Sequence, residues 1–482
     1  MPATATDSPT QASLFSSSVA VQAAIHTILR EVRERQSEIT GARPASAEHK
    51  VTLDAWLKRS AEVKGRPALF PYVGSGLGHG PLVELVDGSV KWDLISGIGV
   101  HMFGHSDPEI MEANIRSALT DTVMQGNLQF NADSIEFAEF LVAEAMRSSK
   151  LKYCFVTNSG CMANEQALKI CQQKTGAAPR IIAFQDCFMG RSTTMAQIGD
   201  GPAYRVGVPL NVQVDYLPFY DADAGQSSID AAVRQLQQCI HRYPRQHSCF
   251  VMELVQGEGG FNVAPREFFL PLMELCRSNG IPVWDDEVQT FGRTKTMYCF
   301  EQLALGGHID VVTLGKMSQA CAVLYTHDMN PKPGLLSGTF QASSSAIGVG
   351  LAGLKKLQSG GYYGADGRIA RLQKAWREHA GAFVKKHPEW FLPVRNANGG
   401  PMKDLVAGTG GMMRMTPFGG DKDRIMALLH RLFADGIIAF YCGHQPYHLR
   451  FLPPIGVMKP EHFGPVFEIM ESSFAAVSQP AK

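Results

Sequence analysis

The sequence has no excess of charge of either sign. Lys and Arg together number 45, as do Asp and Glu, so the formal net charge of the 482 residues is zero at pH 7. Nucleic acids and acidic membrane surfaces attract strongly basic proteins, and this balance indicates neither. We therefore expect no nucleic-acid partner and no membrane partner.

Long apolar runs and paired cysteine motifs are also missing. No run approaches the roughly 18 apolar residues of a membrane-spanning helix. The opening stretch MPATATDSPTQASLFSSS lacks the basic and apolar regions of a secretory signal. The ten cysteines form no C-x-x-C pair, and several lie inside apolar stretches: Cys154, Cys171, Cys249 and Cys276. We expect a cytoplasmic protein with reduced thiols in its core and no metal site.

The composition is that of a globular protein, with 45% apolar and 19% charged residues, and the chain is too long for one compact core. Glycine is dense from Pro71 to Pro108 and includes the string GSGLGHG at Gly74–Gly80. A dinucleotide-binding motif needs a buried strand before such a string and a helix after it. Phe70–Val73 is a poor strand and Pro81 follows, so we predict a glycine-rich loop.

Between about residues 150 and 340, short apolar runs alternate with helical stretches. The predicted strands are Tyr153–Val156, Arg180–Phe184, Cys249–Leu254, Ile281–Trp284 and Val311–Leu314, and the clearest helices are Met162–Gln173 and Glu267–Ser278. This alternation predicts an α/β fold with a mostly parallel sheet covered by helices on both faces. Ligands of such sheets bind at the carboxyl ends of the strands.

The regions outside the sheet predict an arm and a smaller unit. A helix over Val19–Arg35 belongs to an N-terminal arm, and two helices over Ser345–Gln358 and Arg368–His387 precede strands at Gly436–Tyr441 and His448–Phe451. We expect residues 1–95 to form the arm and part of a small α+β domain, residues 96–345 the large domain, and residues 346–482 the rest of the small domain.

Three groups of residues at strand ends could carry chemistry. Lys316 follows a buried strand, where lost hydration would lower the pKa of its amine and make it a nucleophile. Asp286 shares a strand face with Val288, which suits a flat protonated ring, although an exposed acidic turn is the simpler interpretation of Asp285–Glu287 taken alone. The turn at Ser159–Cys161 opens a helix and is either a phosphate site or an ordinary N-cap.

These residues belong to eight short motifs that resemble, in the same order, those of class III aminotransferases, which are fold type I pyridoxal phosphate enzymes. The motifs are DLISGIGV from Asp93, NSGCMANE from Asn158, FMGR from Phe188, QGEGG from Gln256, DEVQT from Asp286, GK at Gly315, GTF from Gly338 and LRFLPP from Leu449. Single matches of this length are weak, but eight in family order are specific.

The resemblance implies pyridoxal 5'-phosphate as the cofactor, a seven-stranded sheet, and roles for individual residues. Lys316 would bind the cofactor as a Schiff base, and Asp286 would pair with its ring nitrogen. Ser159, Gly160 and Cys161 would surround its phosphate, Gln289 would reach its ring hydroxyl, and Phe188 and Val288 would lie on its two faces. Thr339 would reach the phosphate of the other subunit's cofactor, which implies a homodimer with shared active sites.

The resemblance also implies the substrate-binding residues. Arg450 is the family's arginine for the α-carboxylate of glutamate or 2-oxoglutarate, Glu258 the acid that pairs with it, and Arg191 a second carboxylate-binding group. An ordinary surface ion pair is the alternative for either arginine. The sequence departs from the family at Cys161-Met162, where Ser-Glu is usual, and at Met189, where histidine is usual. One glycine is also missing after Thr290.

The segment around Lys316 is similar to that of lysine 6-aminotransferases and 4-aminobutyrate aminotransferases. We therefore expect ping-pong transfer of an amino group from an ω-amino acid, of the lysine, ornithine or 4-aminobutyrate type, to 2-oxoglutarate. Two alternatives remain on the same fold. One is a racemase, epimerase or aminomutase, which needs no keto-acid acceptor, and the other is a binding protein that retains the fold without turnover.

Overall fold

The computed structural model describes residues 9–395 and 400–478. Its helices are α1 (Gln11–Ser17), α2 (Val19–Gln36), α3 (Ala47–Lys64), α4 (Ser96–Gly99), α5 (Pro108–Ala118), α6 (Ala132–Ala145), α7 (Gly160–Lys174), α8 (Thr193–Ile198), α9 (Gln226–Arg242), α10 (Arg266–Ser278), α11 (Cys299–Gln302), α12 (Ser344–Ser359), α13 (Arg368–Lys386), α14 (Lys422–Asp435) and α15 (Phe463–Ser478).

The strands form one large sheet and several small ones. In chain order they are β1 (Gly74–His79), β2 (Leu82–Leu85), β3 (Val90–Asp93), β4 (Met124–Gln125), β5 (Leu151–Thr157), β6 (Arg180–Phe184), β7 (Gln213–Leu217), β8 (His247–Met252), β9 (Val255–Gln256), β10 (Asn262–Val263), β11 (Val283–Glu287), β12 (Val311–Leu314), β13 (Cys321–Thr326), β14 (Ala342–Ser343), β15 (Val406–Thr409), β16 (Met412–Met415), β17 (Ile437–Ile438), β18 (Phe440–Cys442) and β19 (His448–Phe451).

The large sheet has the strand order β5-β13-β12-β11-β8-β6-β7. Its strands are parallel except β13, which runs antiparallel to both of its neighbours. Every residue of β8, β11, β12 and β13 is buried, because helices cover both faces of the central strands. The predicted α/β fold with a mostly parallel seven-stranded sheet is confirmed.

The register of this sheet positions the predicted site. Asp286 on β11 pairs with Thr313 on β12, and Lys316 follows two residues after β12 ends. Because β13 then returns antiparallel beside β12, Lys316 lies in a tight connection between two paired strands. Lys316 itself has a φ of 57°, in the left-handed region that non-glycine residues rarely adopt.

Two four-stranded sheets lie outside the large one. The first, β1-β2-β3-β17, joins the two ends of the chain, because β3 and β17 pair in parallel through Trp92 and Ile437. The second, β15-β16-β19-β18, is antiparallel and formed entirely by C-terminal residues. The domain boundaries remain a prediction, and residues 1–8, 396–399 and 479–482 of the proposed domains lie outside the described residues.

Two sequence predictions are wrong. The glycine-rich string is strand β1, not a loop, because it pairs antiparallel with β2. Glycine is needed within it at Gly78, where a Cβ would lie 2.3 Å from the Cβ of His105. The predicted strand Gly436–Tyr441 is divided into β17 and β18, which belong to different sheets.

The cysteines and the N-terminal helices complete the description. All ten cysteines are unpaired; seven are buried, and Cys154, Cys161 and Cys239 are half-buried. Within the described residues, no single helix is long and apolar enough to cross a membrane. The bent pair α1 and α2, which meet at 46°, satisfies the same length and composition test only when its two helices are taken together.

Candidate active site

Lys316 and Asp286 face one another where β11 and β12 end. Lost hydration lowers the pKa of the Lys316 amine, while the carboxylates of Asp286 and Glu258 oppose that shift. A lowered pKa leaves a larger share of the amine unprotonated, so it can act as a nucleophile or a base. The same residue combination was expected from the sequence, and the fold brings the two side chains together.

Asp286 is oriented by two hydrogen bonds. Its Oδ2 accepts from the Asn164 side chain at 2.7 Å, and its Oδ1 accepts from the Val288 backbone at 2.9 Å. Burial raises the pKa of Asp286 to about 6, and the two donors and Lys316 limit that rise. The carboxylate therefore carries its charge at neutral pH and is held in a single orientation.

The two acids beside Asp286 are buried, so the interpretation as an exposed acidic turn is wrong. Glu287 accepts hydrogen bonds from the backbones of Cys299 and Phe300 at 2.8 and 3.0 Å. Burial raises the pKa of Glu287 to about 7, and the contact with Asp285 limits that rise. Burial and the adjacent Glu287 raise the pKa of Asp285 well above its ordinary value. The pair is stable when it shares a proton.

The turn before α7 leaves backbone donors free. Ser159 is the N-cap of α7 and accepts from Met162 N at 3.2 Å, so the N-cap interpretation holds for its hydroxyl. The N–H groups of Gly160 and Cys161 bind no described residue. The Cys161 thiol points elsewhere, since its sulfur accepts from Ser192 N at 3.1 Å. Free N–H groups at the start of a long helix are suited to an anion such as phosphate.

Val288 and Gln289 continue the site from the end of β11. A Cβ at Gly160 would lie 2.7 Å from Val288 Cγ1, so the helix turn and the strand end are in close contact. Gln289 is buried, and its Oε1 has no partner among the described residues. A buried carbonyl oxygen without a donor is costly, so Gln289 is placed to receive one from a bound group.

Phe188 and a buried acid form the opposite wall. Phe188 is half-buried, and its ring meets Tyr204 edge-on at 5.2 Å. Glu253 accepts from Phe188 N at 3.0 Å and from Gly257 N at 2.9 Å. Burial, together with the nearby Asp286, raises the pKa of Glu253 to about 8. Glu253 thus joins the Phe188 loop to the Gly257 turn as a mostly neutral group.

Arg450 and Glu258 form an ion pair beside Lys316. Arg450 is fully buried, and its Nη1 donates to Glu258 Oε1 at 2.6 Å, whereas its Nε and Nη2 have no partner among the described residues. Burial would lower the pKa of Arg450, but Glu258 raises it above its ordinary value. The interpretation of Arg450 as a surface ion pair is therefore wrong.

Two predicted residues lie at the edge of this arrangement. Arg191 is exposed, and its guanidinium lies 4.2 Å above the Tyr204 ring. Thr339 is exposed and lies beside Gly126 rather than beside Lys316. Its neighbour Phe340 accepts a hydrogen bond from Asn158 at 3.2 Å.

Asn164 and Glu253 are the residues that sequence reasoning missed. Asn164 lies one helical turn after Gly160 within the NSGCMANE motif, so its helical spacing could have indicated it. Glu253 is the acid directly after β8 and resembles many strand-end residues in the sequence. Its proximity to Phe188 and Gly257 exists only in the folded chain.

The residues present fit a flat phosphorylated ring. Free N–H groups stand at one end, the Asp286 carboxylate and an unpartnered Gln289 oxygen lie at and just after the end of β11, and a lysine amine of lowered pKa faces them. The sequence profile of the family described as "Aminotransferase class-III" matches residues 75–474. The chain is a class III aminotransferase. Pyridoxal phosphate is the cofactor of this family and therefore of this enzyme.

Curated relatives agree with this family, and a solved structure agrees with the fold. The chain is 27% identical to the uncharacterised aminotransferase y4qG of Sinorhizobium fredii over 75% of this chain and 79% of that one. It is 31% identical to the acetylornithine aminotransferase of Methanocaldococcus jannaschii, over 50% of this chain and only 56% of the relative. The lysine aminotransferase of M. tuberculosis superposes with a TM-score of 0.72 at 21% identity, over 87% of this chain and 98% of that one.

Proposed function

We propose that this class III aminotransferase moves the terminal amino group of an ω-amino acid, of the lysine, ornithine or 4-aminobutyrate type, to 2-oxoglutarate in a ping-pong sequence. The observation that supports this most is the buried Arg450–Glu258 ion pair beside Lys316. The names of the acetylornithine and lysine aminotransferases among its relatives support the same class of donor.

The proposed roles of the protein's own groups follow from their protonation and contacts. Pyridoxal phosphate, when bound, supplies an electron sink and carries the amino group between the two halves of the reaction. The Lys316 amine moves the proton at the reacting carbon, since its lowered pKa leaves it free to accept one. Asp286, oriented by Asn164, presents a carboxylate to the ring nitrogen. Gly160 and Cys161 donate to the phosphate.

The ion pair gives the enzyme two substrate modes, which are binding of a donor whose amine-bearing carbon has no carboxylate and binding of 2-oxoglutarate. With Glu258 on Arg450, the charge of that arginine is neutralised, which favours a donor whose amine-bearing carbon lacks a carboxylate. Arg450 keeps Nε and Nη2 unpartnered, and these two donors are sufficient for a bidentate carboxylate from 2-oxoglutarate. Arg191, over the Tyr204 ring, is proposed to bind the distal carboxylate.

A donor and acceptor assay tests this function. Purified holoenzyme is incubated with lysine, ornithine or 4-aminobutyrate, with and without 2-oxoglutarate, and glutamate is measured. We expect glutamate from at least one donor only when the acceptor is present. Turnover without an acceptor would indicate a racemase or mutase, and no turnover with any donor would contradict the proposal.

The Glu258→Gln variant tests the ion pair. Removing the charge exposes Arg450, so we expect kcat/KM for the ω-amino donor to fall about 10-fold or more relative to that for glutamate. Glu112→Gln, a surface acid paired with Arg116, is the matched control and should change neither value. An equal effect of Glu258→Gln on both donors would argue against two substrate modes.

We also propose a homodimer in which Thr339 completes the partner's phosphate site. The apolar side chains of Leu128, Phe130 and Phe340 are 96%, 62% and 45% exposed and lie on the Thr339 side of the molecule. Mixing inactive Lys316→Ala chains with inactive Thr339→Val chains should restore activity, because one site of each hybrid dimer is then complete. Failure of mixed chains to recover activity would contradict shared sites.

The domain boundaries and the compartment are likewise proposals. The pairing of β3 with β17 supports a small domain formed by both ends of the chain, with the large domain over residues 96–345. Ten unpaired cysteines support a reducing compartment such as the cytoplasm.

A further inference from the structure

A second cavity lies outside the site that contains Lys316. It measures about 210 Å³ and lies between the loops that follow β6 and β7 and the sheet β15-β16-β19-β18. Its lining includes neither Lys316 nor Asp286 nor Arg450. Cavities between packed units are common ligand sites, and this one has charged groups on two walls.

One wall carries a buried arginine that makes no ion pair with a described residue. Arg414 on β16 is 6% exposed, and its Nη1 donates to Thr416 Oγ1 at 3.0 Å and to His448 Nδ1 at 3.1 Å. Its buried Nε has no partner, and among the described residues no carboxylate oxygen lies within 4.0 Å of its guanidinium. Burial lowers the pKa of Arg414, and Asp404, more than 4.0 Å away, offsets that shift only in part, so the guanidinium is suited to a carboxylate from a ligand.

His448 adds a second donor to the same wall. Burial and the adjacent Arg414 hold the pKa of His448 well below its ordinary value, so the ring is neutral. Its Nδ1 accepts from the Thr416 hydroxyl at 2.8 Å, which assigns the ring proton to Nε2. No described residue accepts from Nε2. Arg414 and His448 on this wall therefore offer hydrogen-bond donors to a ligand.

The facing wall is acidic and aromatic. Asp186 lies 3.2 Å from the exposed His444, and Asp221 and Asp223 also line the cavity. Lys403 is already paired with Asp223 at 2.9 Å. These carboxylates would repel a simple anion and attract an amine, while the rings of Phe219, Tyr220 and Phe261 provide apolar surface between the two walls.

We propose that this cavity binds a zwitterionic amino carboxylate, with its carboxylate on Arg414 and its ammonium group toward Asp186. Arg414 and Arg450 are directly opposed on β16 and β19, so their side chains project from the same face of the sheet. Arg450 pairs with Glu258, whereas Arg414 lines the cavity. Arg414 makes no ion pair with a described residue, although the more distant Asp404 opposes the lowering of its pKa by burial. The inference goes beyond the proposed function and does not depend on the identity of the donor.

Binding can be measured with zwitterions that cannot react with pyridoxal phosphate. N,N-dimethylglycine, 4-(dimethylamino)butyrate and 6-(dimethylamino)hexanoate are tertiary amines and form no imine. The holoenzyme is first treated with aminooxyacetate, which blocks the catalytic site, and binding is then followed by calorimetry. We expect saturable binding of at least one of the three, at one per chain, and at least 10-fold weaker binding of butyrate and of N,N-dimethylbutylamine.

Two variants on opposite walls decide the assignment. Arg414→Gln and Asp186→Asn should each weaken binding at least 10-fold. Asp186 is only half-buried, so its substitution should leave the fold intact. The Asp186 variant therefore tests the proposal even where Arg414→Gln does not fold. Arg377→Gln is the control, because that arginine donates to the Gly408 carbonyl outside the cavity. The proposal is overturned by no binding to the blocked holoenzyme, by binding of butyrate as tight as that of the zwitterion, or by unchanged binding in the Asp186 variant.

Discussion

At the scale of single residues, the charge of Asp286 depends on Asn164. Burial raises the pKa of Asp286 to about 6, and the Asn164 amide is one of the donors that oppose this. In Asn164→Ala the pKa of Asp286 should rise further, so a larger fraction is protonated at neutral pH. We expect cofactor affinity to fall about 10-fold at neutral pH, and by more as the pH is lowered.

Titration of the apoenzyme with pyridoxal phosphate from about pH 5 to about pH 8 measures this effect. The carboxylate form binds, so affinity should be complete above the pKa of Asp286 and decline as the pH falls through it. Gln172→Ala on the same helix is the control. A parallel shift of both variants would mean that the helix, not the hydrogen bond, determines the affinity.

Lys316 is the residue on which both attachment and proton movement are proposed to depend. Lys316→Ala should lower kcat at least ~10³-fold and abolish cofactor attachment after borohydride reduction. Mass spectrometry of the reduced protein measures attachment directly. Lys355→Ala, which removes an exposed amine paired with Glu136, should leave both unchanged. Retained turnover without Lys316 would defeat the assignment of the reacting amine.

Residues inside motifs could be predicted from the sequence, and their distant partners could not. Lys316 and Asp286 follow apolar runs that are visible in the chain itself. Glu253 and Arg414 acquire their surroundings from elements more than 30 residues away, such as Phe188 for Glu253 and His448 for Arg414. A local pattern contains no information on such contacts, so neither residue was proposed.

At the scale of elements, the contact between α7 and the end of β11 requires glycine. A Cβ at Gly160 would lie 2.7 Å from Val288, whereas a Cβ at Gly381, within α13, would meet nothing within 4 Å. Gly381→Ala should stabilise the protein by about 0.5–1 kcal/mol, because alanine favours helix. Gly160→Ala should lower cofactor affinity at least ~10-fold despite the same helical gain.

Thermal unfolding and cofactor titration of both glycine variants measure this difference. Equal cofactor affinity in Gly160→Ala and the parent enzyme would mean that the strand end can move away from the helix without loss.

The acids that follow one another on β11 predict a pH-dependent stability. Asp285 and Glu287 have higher pKa values in the folded protein than in the unfolded chain, so the folded state binds more protons between those values. The contribution of this pair to the free energy of unfolding should be greatest below about pH 4 and should decline as the pH rises through about 7. For Glu287 the decline should be on the order of 3 kcal/mol.

Asp285→Asn should flatten that decline, because an amide can donate to Glu287 without a shared proton. Urea unfolding of the apoenzyme at several pH values measures the slope. Asp230→Asn, on the exposed side of α9, is the control. An unchanged slope in Asp285→Asn would assign the pH dependence to other groups, such as Glu253.

The elements that sequence analysis missed have a common physical origin. β13 follows the Lys316 turn after only a few residues and reverses direction, which the expected strand-helix alternation does not predict. β1 contains three glycines and is stable because β2 pairs with it. Where strand formation depends on a partner rather than on the run's own side chains, single-sequence patterns underestimate it.

At the scale of the whole molecule, the exposed apolar side chains predict association. Leu128→Asp combined with Phe130→Asp should convert a dimer to monomers and lower activity at least ~10-fold, because Thr339 then reaches no partner site. Sedimentation velocity measures the change of mass. Val206→Asp alters a side chain that is 83% exposed elsewhere and serves as the control. A monomeric parent enzyme with full activity would contradict the shared site.

The distribution of unpaired thiols makes the protein its own conformational reporter. Seven cysteines are buried and three are half-buried, and one of the latter, Cys161, belongs to the turn proposed for the phosphate. A thiol reagent applied to the native apoenzyme should therefore react quickly with few groups and slowly with the rest. Saturation with cofactor should remove Cys161 from the fast class. Counting the modified groups would follow both cofactor occupancy and core opening without an introduced label.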